Sequence, residues 1–363
     1  MLAIGLMSGT SMDGIDVAAI ETDGERVTWF GPSATYPYSD AQRALLRGAL
    51  DEARTLEDRD ARPGVIGDAE RMVTERHAEC VVAFLDAHEL ERARVGVVGF
   101  HGQTVLHRPQ ARLTIQIGDG AALARAIGIP VVCDFRANDV AAGGQGAPLV
   151  PIFHRALALA RPARPVVFVN IGGVANVTFV SADGALLAFD TGPGNAMIDD
   201  WVRAKSGVTH DENGGIARKG KVSIDTLERL LSDPYFARRP PKSLDRNHFS
   251  LEMMKTLEAT NGARTLTQFT ASSIALAAAL LPEPPREWII VGGGRRNAFL
   301  MDTLSDLVAM PLRLAEEIGL DGDAIEAQAF AFLAVRSLQS LPLTYPTTTG
   351  VPQPITGGAL ARA

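Results

Sequence analysis

A pattern of short strands and glycine-rich turns that occurs twice in the chain constrains the fold most. In the second half, residues 166–195 contain three runs rich in β-branched and aromatic residues, bounded by Gly, Asn or Asp, as is typical of strands. An Asp-Gly pair at 183–184 predicts a hairpin turn between the last two. The third run leads Asp190 into a Gly-Pro-Gly turn, and a helix is predicted from about Asn195. An acidic residue at this position is typical of an anion-handling site beside a helix N-terminus. It is equally typical of a residue that caps the turn.

The start of the chain shows the same order of elements. Strands are predicted at 2–6, 15–20 and 27–30, with a glycine-rich turn at 7–14 and an Asp-Gly turn at 23–24. An internal repeat of this length indicates two similar domains and favours the anion-handling interpretation of Asp190. We predict an α/β fold of two duplicated βββαβαβα domains at 1–163 and 164–363. The proline-containing segment 161–165 is the predicted linker, and the second domain carries a polar insertion near 208–247.

Composition excludes several classes of protein. A length of 363 residues suits about two domains, and a net charge of −7 argues against a nucleic-acid partner. Cys80 and Cys133 lie far apart without metal-binding spacing, which is typical of a reduced, cytoplasmic protein. We expect no signal peptide and no membrane association, because no apolar run is long enough for either.

Glycine-rich turns follow the predicted strands, at the strand ends where α/β sheets bind ligands. The segment 101–104 follows a strand at 95–100, and the glycines at 292–294 follow a strand at 287–291. Four such turns in two domains predict a phosphate-bearing ligand in the cleft between the domains. No turn has Walker A or dinucleotide-binding spacing, so we expect the backbones of β-hairpin turns to hold the phosphates.

Several motifs, in order along the whole chain, resemble those of the anhydro-N-acetylmuramic acid kinase family. They are Gly5-Leu-Met-Ser-Gly-Thr-Ser-Met-Asp-Gly-Ile-Asp16, His101-Gly-Gln-Thr104, Asp134-Phe-Arg136, Asn170-Ile-Gly-Gly-Val-Ala-Asn176, Phe189-Asp-Thr-Gly-Pro-Gly-Asn195, Gly292-Gly-Gly294 and Asp323-Ala-Ile-Glu-Ala327. That family belongs to the sugar-kinase, Hsp70 and actin superfamily. The resemblance therefore implies duplicated actin-like (RNase H-like) domains with a cleft between them.

The resemblance also implies an activity. With ATP and Mg²⁺ as cofactors, the enzyme would phosphorylate O6 of 1,6-anhydro-N-acetylmuramic acid while water opens the anhydro ring at C1. The product would be N-acetylmuramic acid 6-phosphate, an intermediate of peptidoglycan recycling. We expect a cytoplasmic homodimer.

The resemblance assigns nucleotide-binding residues to both domains. The first turn would wrap the ATP phosphates with Gly9, Thr10, Ser11, Met12, Asp13, Gly14, Ile15 and Asp16. A second phosphate turn would contain Asn170, Gly172 and Gly173. The residues near the adenosine would be Gly292, Gly293, Gly294 and Glu326. Asp13 would hold Mg²⁺, although it equally fits a turn-forming role. Glu326 equally fits the polar edge of its helix.

Four residues would face the sugar. Asp190 would be the general base that takes the proton of the attacking water. His101 and Gln103 would contact the sugar, and a structural role for His101 is the alternative. Arg136 would pair with the lactyl carboxylate, a role suited to a forked guanidinium, or would form a surface ion pair.

The insertion departs from the family pattern in two places. Residues 240–246 read Pro-Pro-Lys-Ser-Leu-Asp-Arg where Pro-Pro-Lys-Ser-Thr-Gly-Arg is common, and His210 stands where an aromatic residue is usual. We expect these differences to affect contacts of the insertion but not the phosphate turns or Asp190. One alternative function is an ordinary sugar kinase without ring hydrolysis. The other is an ATP-gated binding module, but such a module is expected to carry a partner-binding domain, for which we expect no room in the chain.

Overall fold

The computed structural model describes residues 1–9 and 11–363 and divides the chain into two compact units. The first unit comprises Met1–Ala160 and Ala324–Ala363, and the second comprises Arg161–Asp323. The first boundary falls at the predicted linker, 161–165. The C-terminal boundary differs from the prediction of a second domain over 164–363, because the segment from Ala324 onward packs in the first unit.

The first unit is built on a seven-stranded sheet in the described part of the chain. Its strands are β1 (Leu2–Ser8), β2 (Gly14–Thr22), β3 (Val27–Pro37), β4 (Val95–Arg108), β5 (Leu113–Ile117), β6 (Val131–Cys133) and β12 (Ala359–Ala361). Their order is β12-β6-β4-β1-β2-β3, and β5 also pairs with β4. β1, β2 and β3 are antiparallel, whereas β4 runs parallel to β1 and to β6.

The second unit repeats this topology in a five-stranded sheet. Its strands are β7 (Val166–Ile171), β8 (Val174–Val180), β9 (Leu186–Pro193), β10 (Glu287–Val291) and β11 (Leu312–Leu314). Their order is β11-β10-β7-β8-β9, with β10 parallel to β7 and β11. This order corresponds strand for strand to β6-β4-β1-β2-β3 in the first unit. The predicted duplicated actin-like fold is therefore confirmed.

Helices pack on both sheets. In the first unit they are α1 (Asp40–Ala53), α2 (Gly64–Ala87), α3 (Gly120–Ile127), α4 (Ala137–Ala141), α5 (Pro151–Leu159) and α10 (Ile325–Leu338). In the second unit they are α6 (Ala196–Ser206), α7 (Ile224–Leu231), α8 (Ala259–Leu276) and α9 (Ala298–Leu307). Among the described residues, none of these helices has the length and apolar character required to cross a membrane.

Close packing of α10 on β1 and β4 explains why the C-terminal segment joins the first unit. A Cβ atom on Gly5 of β1 would lie 1.7 Å from the carbonyl oxygen of Ala327, and one on Gly99 of β4 would lie 2.1 Å from that of Phe330. Glycine at these two strand positions thus allows the helix backbone to approach the sheet directly. On the opposite side, α1, α2 and α3 bury the apolar side chains of the same strands in one continuous core.

Two element boundaries differ from the predictions in ways that affect the site. β3 continues to Pro37, well beyond the predicted end at residue 30, because it pairs with β2 along most of its length. β4 continues to Arg108 rather than ending at residue 100, because its second half pairs with β5. His101 and Gln103 therefore lie within a strand, and the prediction that they follow a strand end is wrong.

Candidate active site

The N-terminal turn lies between β1 and β2, as the sequence predicts. The Met12 amide donates to Gly9 O at 3.1 Å, and the Tyr38 amide donates to Asp13 O at 3.0 Å. Met12 has a left-handed φ of 56°. The carboxylate of Asp13 is exposed, whereas Asp16 is half-buried in β2 and accepts a bond from Thr35 Oγ1 at 2.6 Å. Thr10, a predicted phosphate ligand, lies outside the described residues.

The two predicted sugar ligands on β4 occupy different surroundings. Gln103 is fully buried, and both ends of its amide bond to the N-terminal turn: Oε1 accepts from Ser8 Oγ at 2.6 Å, and Nε2 donates to Gly9 O at 3.2 Å. His101 is also buried and packs on the Phe330 ring, with ring centroids 4.7 Å apart.

His101 forms a chain of hydrogen bonds with Arg136. Burial and the neighbouring guanidinium lower the pKa of His101 to about 3, so the ring is neutral. Arg136 Nη2 lies 3.0 Å from Nε2, and Nδ1 lies 2.8 Å from Gly102 O. Since a guanidinium can only donate and a carbonyl only accept, Nδ1 carries the proton and Nε2 accepts.

Arg136 lies at the N-terminus of α4, after β6. It is half-buried, and its Nη1 donates to Gly146 O at 2.7 Å. Burial lowers the pKa of Arg136 to about 10, against the opposite effect of Glu326 and Asp139. The acceptors of these two hydrogen bonds, a carbonyl and a neutral imidazole, carry no charge. A desolvated guanidinium held in this way is suited to a carboxylate ligand.

In the second unit the predicted phosphate turn joins β7 to β8 and is fixed by the start of α6. The Asn195 amide donates to Gly172 O at 2.8 Å, and the Gly194 amide donates to Gly173 O at 2.9 Å. The register of β7, β8 and β9 places Asn170 opposite Asn176, and Asn176 opposite Asp190. The sheet thus brings the turn and the candidate base to the same end of three neighbouring strands.

Asp190 is half-buried near the end of β9, and its carboxylate accepts a bond from the Leu244 amide to Oδ2 at 2.8 Å. Burial raises the pKa of Asp190 to about 7, although the Leu244 bond and the charge of Lys242 both lower it. A carboxylate with a pKa near neutrality is suited to accepting and releasing a proton. The carboxylate is bonded to Leu244 and not to the following turn, which does not support the alternative role of a turn cap.

Sequence reasoning missed the segment that encloses Asp190, residues 235–244. Tyr235 Oη donates to Asp190 O at 2.6 Å, and the Asp190 amide donates to Lys242 O at 3.0 Å. Lys242 Nζ in turn donates to Tyr235 O at 3.1 Å and lies 4.5 Å above the Tyr235 ring. The departure at 240–246 includes Leu244, which contacts the Asp190 carboxylate through its backbone amide, so the expectation that Asp190 is unaffected stays a prediction. The sequence signal that could have pointed to this segment was the departure at 240–246 itself, which lies within a stretch that otherwise matches the family pattern.

The glycines at 292–294 follow β10, as the sequence predicts. Gly292 has a φ of 78°, and a Cβ there would lie 2.2 Å from Asn170 Oδ1. The following turn is held by Arg295, whose side chain bonds to Gly292 O, Glu316 and Asp323. Glu326 is distant in sequence from these glycines. It lies in the first turn of α10, in the first unit, where its negative charge acts to raise the pKa of Arg136.

Four of the predicted ligand-binding glycines have no packing reason to be glycine. A Cβ on Gly9, Gly172 or Gly173 would meet no atom closer than 3.5 Å, and one on Gly293 would meet nothing within 4 Å. Gly14, in contrast, is required by the fold, since its Cβ would lie 2.6 Å from Tyr36 O. Open space at the other four is consistent with a ligand that approaches the backbone.

The described residues contain no group of three or more His, Cys, Asp or Glu side chains placed to hold a metal ion. Mg²⁺ in phosphoryl-transfer sites is commonly held by one or two carboxylates together with substrate phosphates and water. The exposed carboxylate of Asp13 fits such a role.

The family model and the relatives similar in sequence point to the same family. A family model described as anhydro-N-acetylmuramic acid kinase matches residues 1–363. A protein of that name from Nitrobacter winogradskyi is 54% identical, with 100% of both chains covered. Another from Rhodopseudomonas palustris is 55% identical, covering 100% of this chain and 99% of the relative. Among solved structures, component A of (R)-2-hydroxyglutaryl-CoA dehydratase from Acidaminococcus fermentans matches with a TM-score of 0.49 and 10% identity, covering 93% of this chain and 99% of that one.

Proposed function

The chain belongs to the anhydro-N-acetylmuramic acid kinase family, and on that premise we propose that it cleaves and phosphorylates 1,6-anhydro-N-acetylmuramic acid with ATP. Water attacks C1, the bond between C1 and O6 breaks, and O6 takes the γ-phosphoryl group. The products are N-acetylmuramic acid 6-phosphate and ADP. The observation that carries the proposal is the match over the whole chain at more than half identity.

Asp190 is the general base of this reaction. Its carboxylate takes one proton from the attacking water and later releases that proton to solvent. The Leu244 amide fixes Oδ2, which leaves Oδ1 to accept from the water. A pKa of about 7 supports the role, because the carboxylate is then basic enough to take a proton and about half of it is ionised at neutral pH.

The backbone turns hold the nucleotide. In the first unit, the turn from Gly9 to Asp16 binds phosphate through backbone amides and the hydroxyls of Thr10 and Ser11. In the second unit, Asn170, Gly172 and Gly173 form another phosphate-binding turn, and the glycines at 292–294 contact the adenosine, a role in which we also include Glu326. Open space at Gly9, Gly172, Gly173 and Gly293 supports this assignment. Asp13 would hold Mg²⁺, which neutralises phosphate charge when bound.

Arg136 recognises the lactyl carboxylate that distinguishes muramic acid from glucosamine. The support is its half-buried guanidinium, bonded to Gly146 O and His101 Nε2 and placed after a parallel strand. His101 keeps the guanidinium in position from its neutral ring and acts on the sugar through Arg136, because both of its ring nitrogens are bonded within the fold. We also propose that the enzyme is cytoplasmic and forms a homodimer. Sedimentation velocity tests the oligomeric state.

Product analysis tests the function. The enzyme is incubated with ATP and 1,6-anhydro-N-acetylmuramic acid, and the products are separated by mass. The ring-opened 6-phosphate contains one more water than a phosphorylated sugar whose ring is closed. We expect only the ring-opened product, formed in a one-to-one ratio with ADP. A closed phosphorylated sugar would instead identify an ordinary sugar kinase.

A further inference from the structure

Gln103 reaches the N-terminal turn because of an irregularity in β4. β1 and β4 pair residue for residue from Ala3 and Val97 to Leu6 and Phe100, but Ser8 then pairs with Gln103, so β4 carries one extra residue at this point. Gly102, at a φ of 69°, absorbs this bulge, and a Cβ there would lie 2.6 Å from Ile117 O. The bulge places the Gln103 side chain beside the last residue of β1.

Both the oxygen and the nitrogen of the Gln103 amide form hydrogen bonds with residues that lead into the turn. Its Oε1 accepts from Ser8 Oγ at 2.6 Å, its Nε2 donates to Gly9 O at 3.2 Å, and the side chain is fully buried. Ser8 Oγ also lies 3.0 Å from Tyr38 Oη, and the Tyr38 amide donates to Asp13 O. Gln103, Ser8 and Tyr38 therefore connect both ends of the turn to the sheet, and we call these three residues the turn brace.

We propose that Gln103 is a positioning residue for nucleotide binding and not a ligand of the sugar. The proposal rests on the proposed function to the extent that the N-terminal turn binds ATP. The Gln103 side chain is fully buried with Oε1 and Nε2 both bonded to residues that lead into the turn, so it would have to leave this position and give up those bonds to reach a sugar. Its contacts fix Gly9 O and Ser8, the residues that lead into the turn, so its loss lets the phosphate-binding backbone relax.

Calorimetry of ATP binding without sugar, together with the KM of each substrate, tests the proposal on the full-length enzyme. For Gln103→Leu we expect the Kd of ATP to rise about tenfold, as the loss of two buried hydrogen bonds predicts, while the KM of the sugar at saturating ATP changes less than about twofold. Gln116→Leu is the matched control: Gln116 bonds to Thr104 on β4 and to Thr114 on its own strand, β5, and neither of these hydrogen bonds is to the turn. We expect its ATP affinity to equal that of the wild type.

Two milder variants decide the question if Gln103→Leu does not fold. Gln103→Glu keeps the shape but sets an oxygen against Gly9 O, and Tyr38→Phe removes only the hydroxyl beside Ser8. Both should weaken ATP binding and spare the sugar KM. A raised sugar KM with unchanged ATP affinity overturns the proposal and makes Gln103 a sugar ligand. Calorimetry needs no turnover, so failure of the proposed activity would not be confused with failure of this role.

Discussion

Replacement of Asp190 by Asn is the sharpest test of the candidate site, because it alters catalysis and stability in opposite directions. The amide has the shape of the carboxylate, and its Oδ1 can still accept the bond from the Leu244 amide. The neighbouring bonds from Tyr235 Oη and to Lys242 O involve only the backbone of residue 190 and persist. The substitution therefore removes the basic oxygen and its negative charge and little else.

The loss of the base predicts the catalytic effect. General-base catalysis typically contributes about 10²–10⁴-fold in rate, so kcat for sugar cleavage should fall by at least that factor. ATP turnover should fall in parallel, because O6 leaves C1 as it takes the phosphoryl group. In the wild type, kcat/KM should decline as the pH falls below about 7, since protonation of Asp190 removes the base.

The raised pKa predicts the stability effect, with a definite sign. Asp190 binds its proton more tightly in the folded state than at the ordinary value of 3.8, so its contribution is fully favourable below 3.8 and is lost as the pH rises through about 7. Asn mimics the protonated form. The variant should therefore be more stable than the wild type at pH 8, by at most about 4 kcal/mol at 1.36 kcal/mol for each pKa unit. The difference should vanish near pH 4.

Rate assays and urea unfolding at pH 8 and pH 4 measure the two effects. Asp183→Asn serves as a control, since Asp183 is an exposed residue of the β8–β9 hairpin turn. A variant that phosphorylates the sugar at a near-normal rate would refute the assignment and favour Asp13 or Asp16. A variant that loses activity but is destabilised at pH 8 would show that residue 190 is needed for its contacts instead.

The remaining predictions concern other parts of the chain. Gly9→Val should raise the Kd of ATP at least about tenfold in calorimetry with an unchanged circular-dichroism spectrum, whereas Gly48→Ala on α1 should leave ATP binding unchanged. Arg136→Lys should raise the KM of muramic-type anhydro-sugars about tenfold but hardly affect the anhydro-glucosamine sugar, and equal losses on both would contradict the lactyl role. Gly5→Ala should lower the free energy of unfolding by about 3 kcal/mol, because its Cβ would overlap Ala327 O; unchanged urea stability would contradict the packing of α10.

Local signals made the repeat predictable. Glycine-rich turns, Asp-Gly pairs and β-branched runs specify strands and hairpins within a few residues, so the sequence predicts the N-terminal turn, the turn at 172–173 and the strand that carries Asp190. The membership of α10 in the first unit was not predictable in this way. It depends on glycines at Gly5 and Gly99, whose role is visible only when a helix from the far end of the chain packs against them.

The same distinction applies to the residues around the site. Gln103 reads as a polar residue after a strand, and its role becomes clear only with the bulge that sets it beside Ser8. The segment 235–244 reads as part of a polar insertion, although it returns to enclose Asp190 on an edge strand of the sheet. Contacts between residues distant in sequence carry no local signal, so sequence reasoning finds the reacting groups more readily than the groups that hold them.

The departure from the family pattern at 240–246 is compatible with an intact base, because backbone atoms make the contacts with Asp190. Lys242 contributes its carbonyl and Leu244 its amide, which a threonine at that position would supply equally. Asp245 replaces the usual glycine, and its Oδ1 accepts the Asn247 amide at 2.7 Å, which stabilises the next turn by a side-chain bond. Lys242 is retained, and its ammonium bonds to the Tyr235 and Phe236 carbonyls, which closes the segment. The contacts of this segment with Asp190 therefore depend on the path of its backbone, which Lys242 helps to fix, and not on the side chains at 244 and 245.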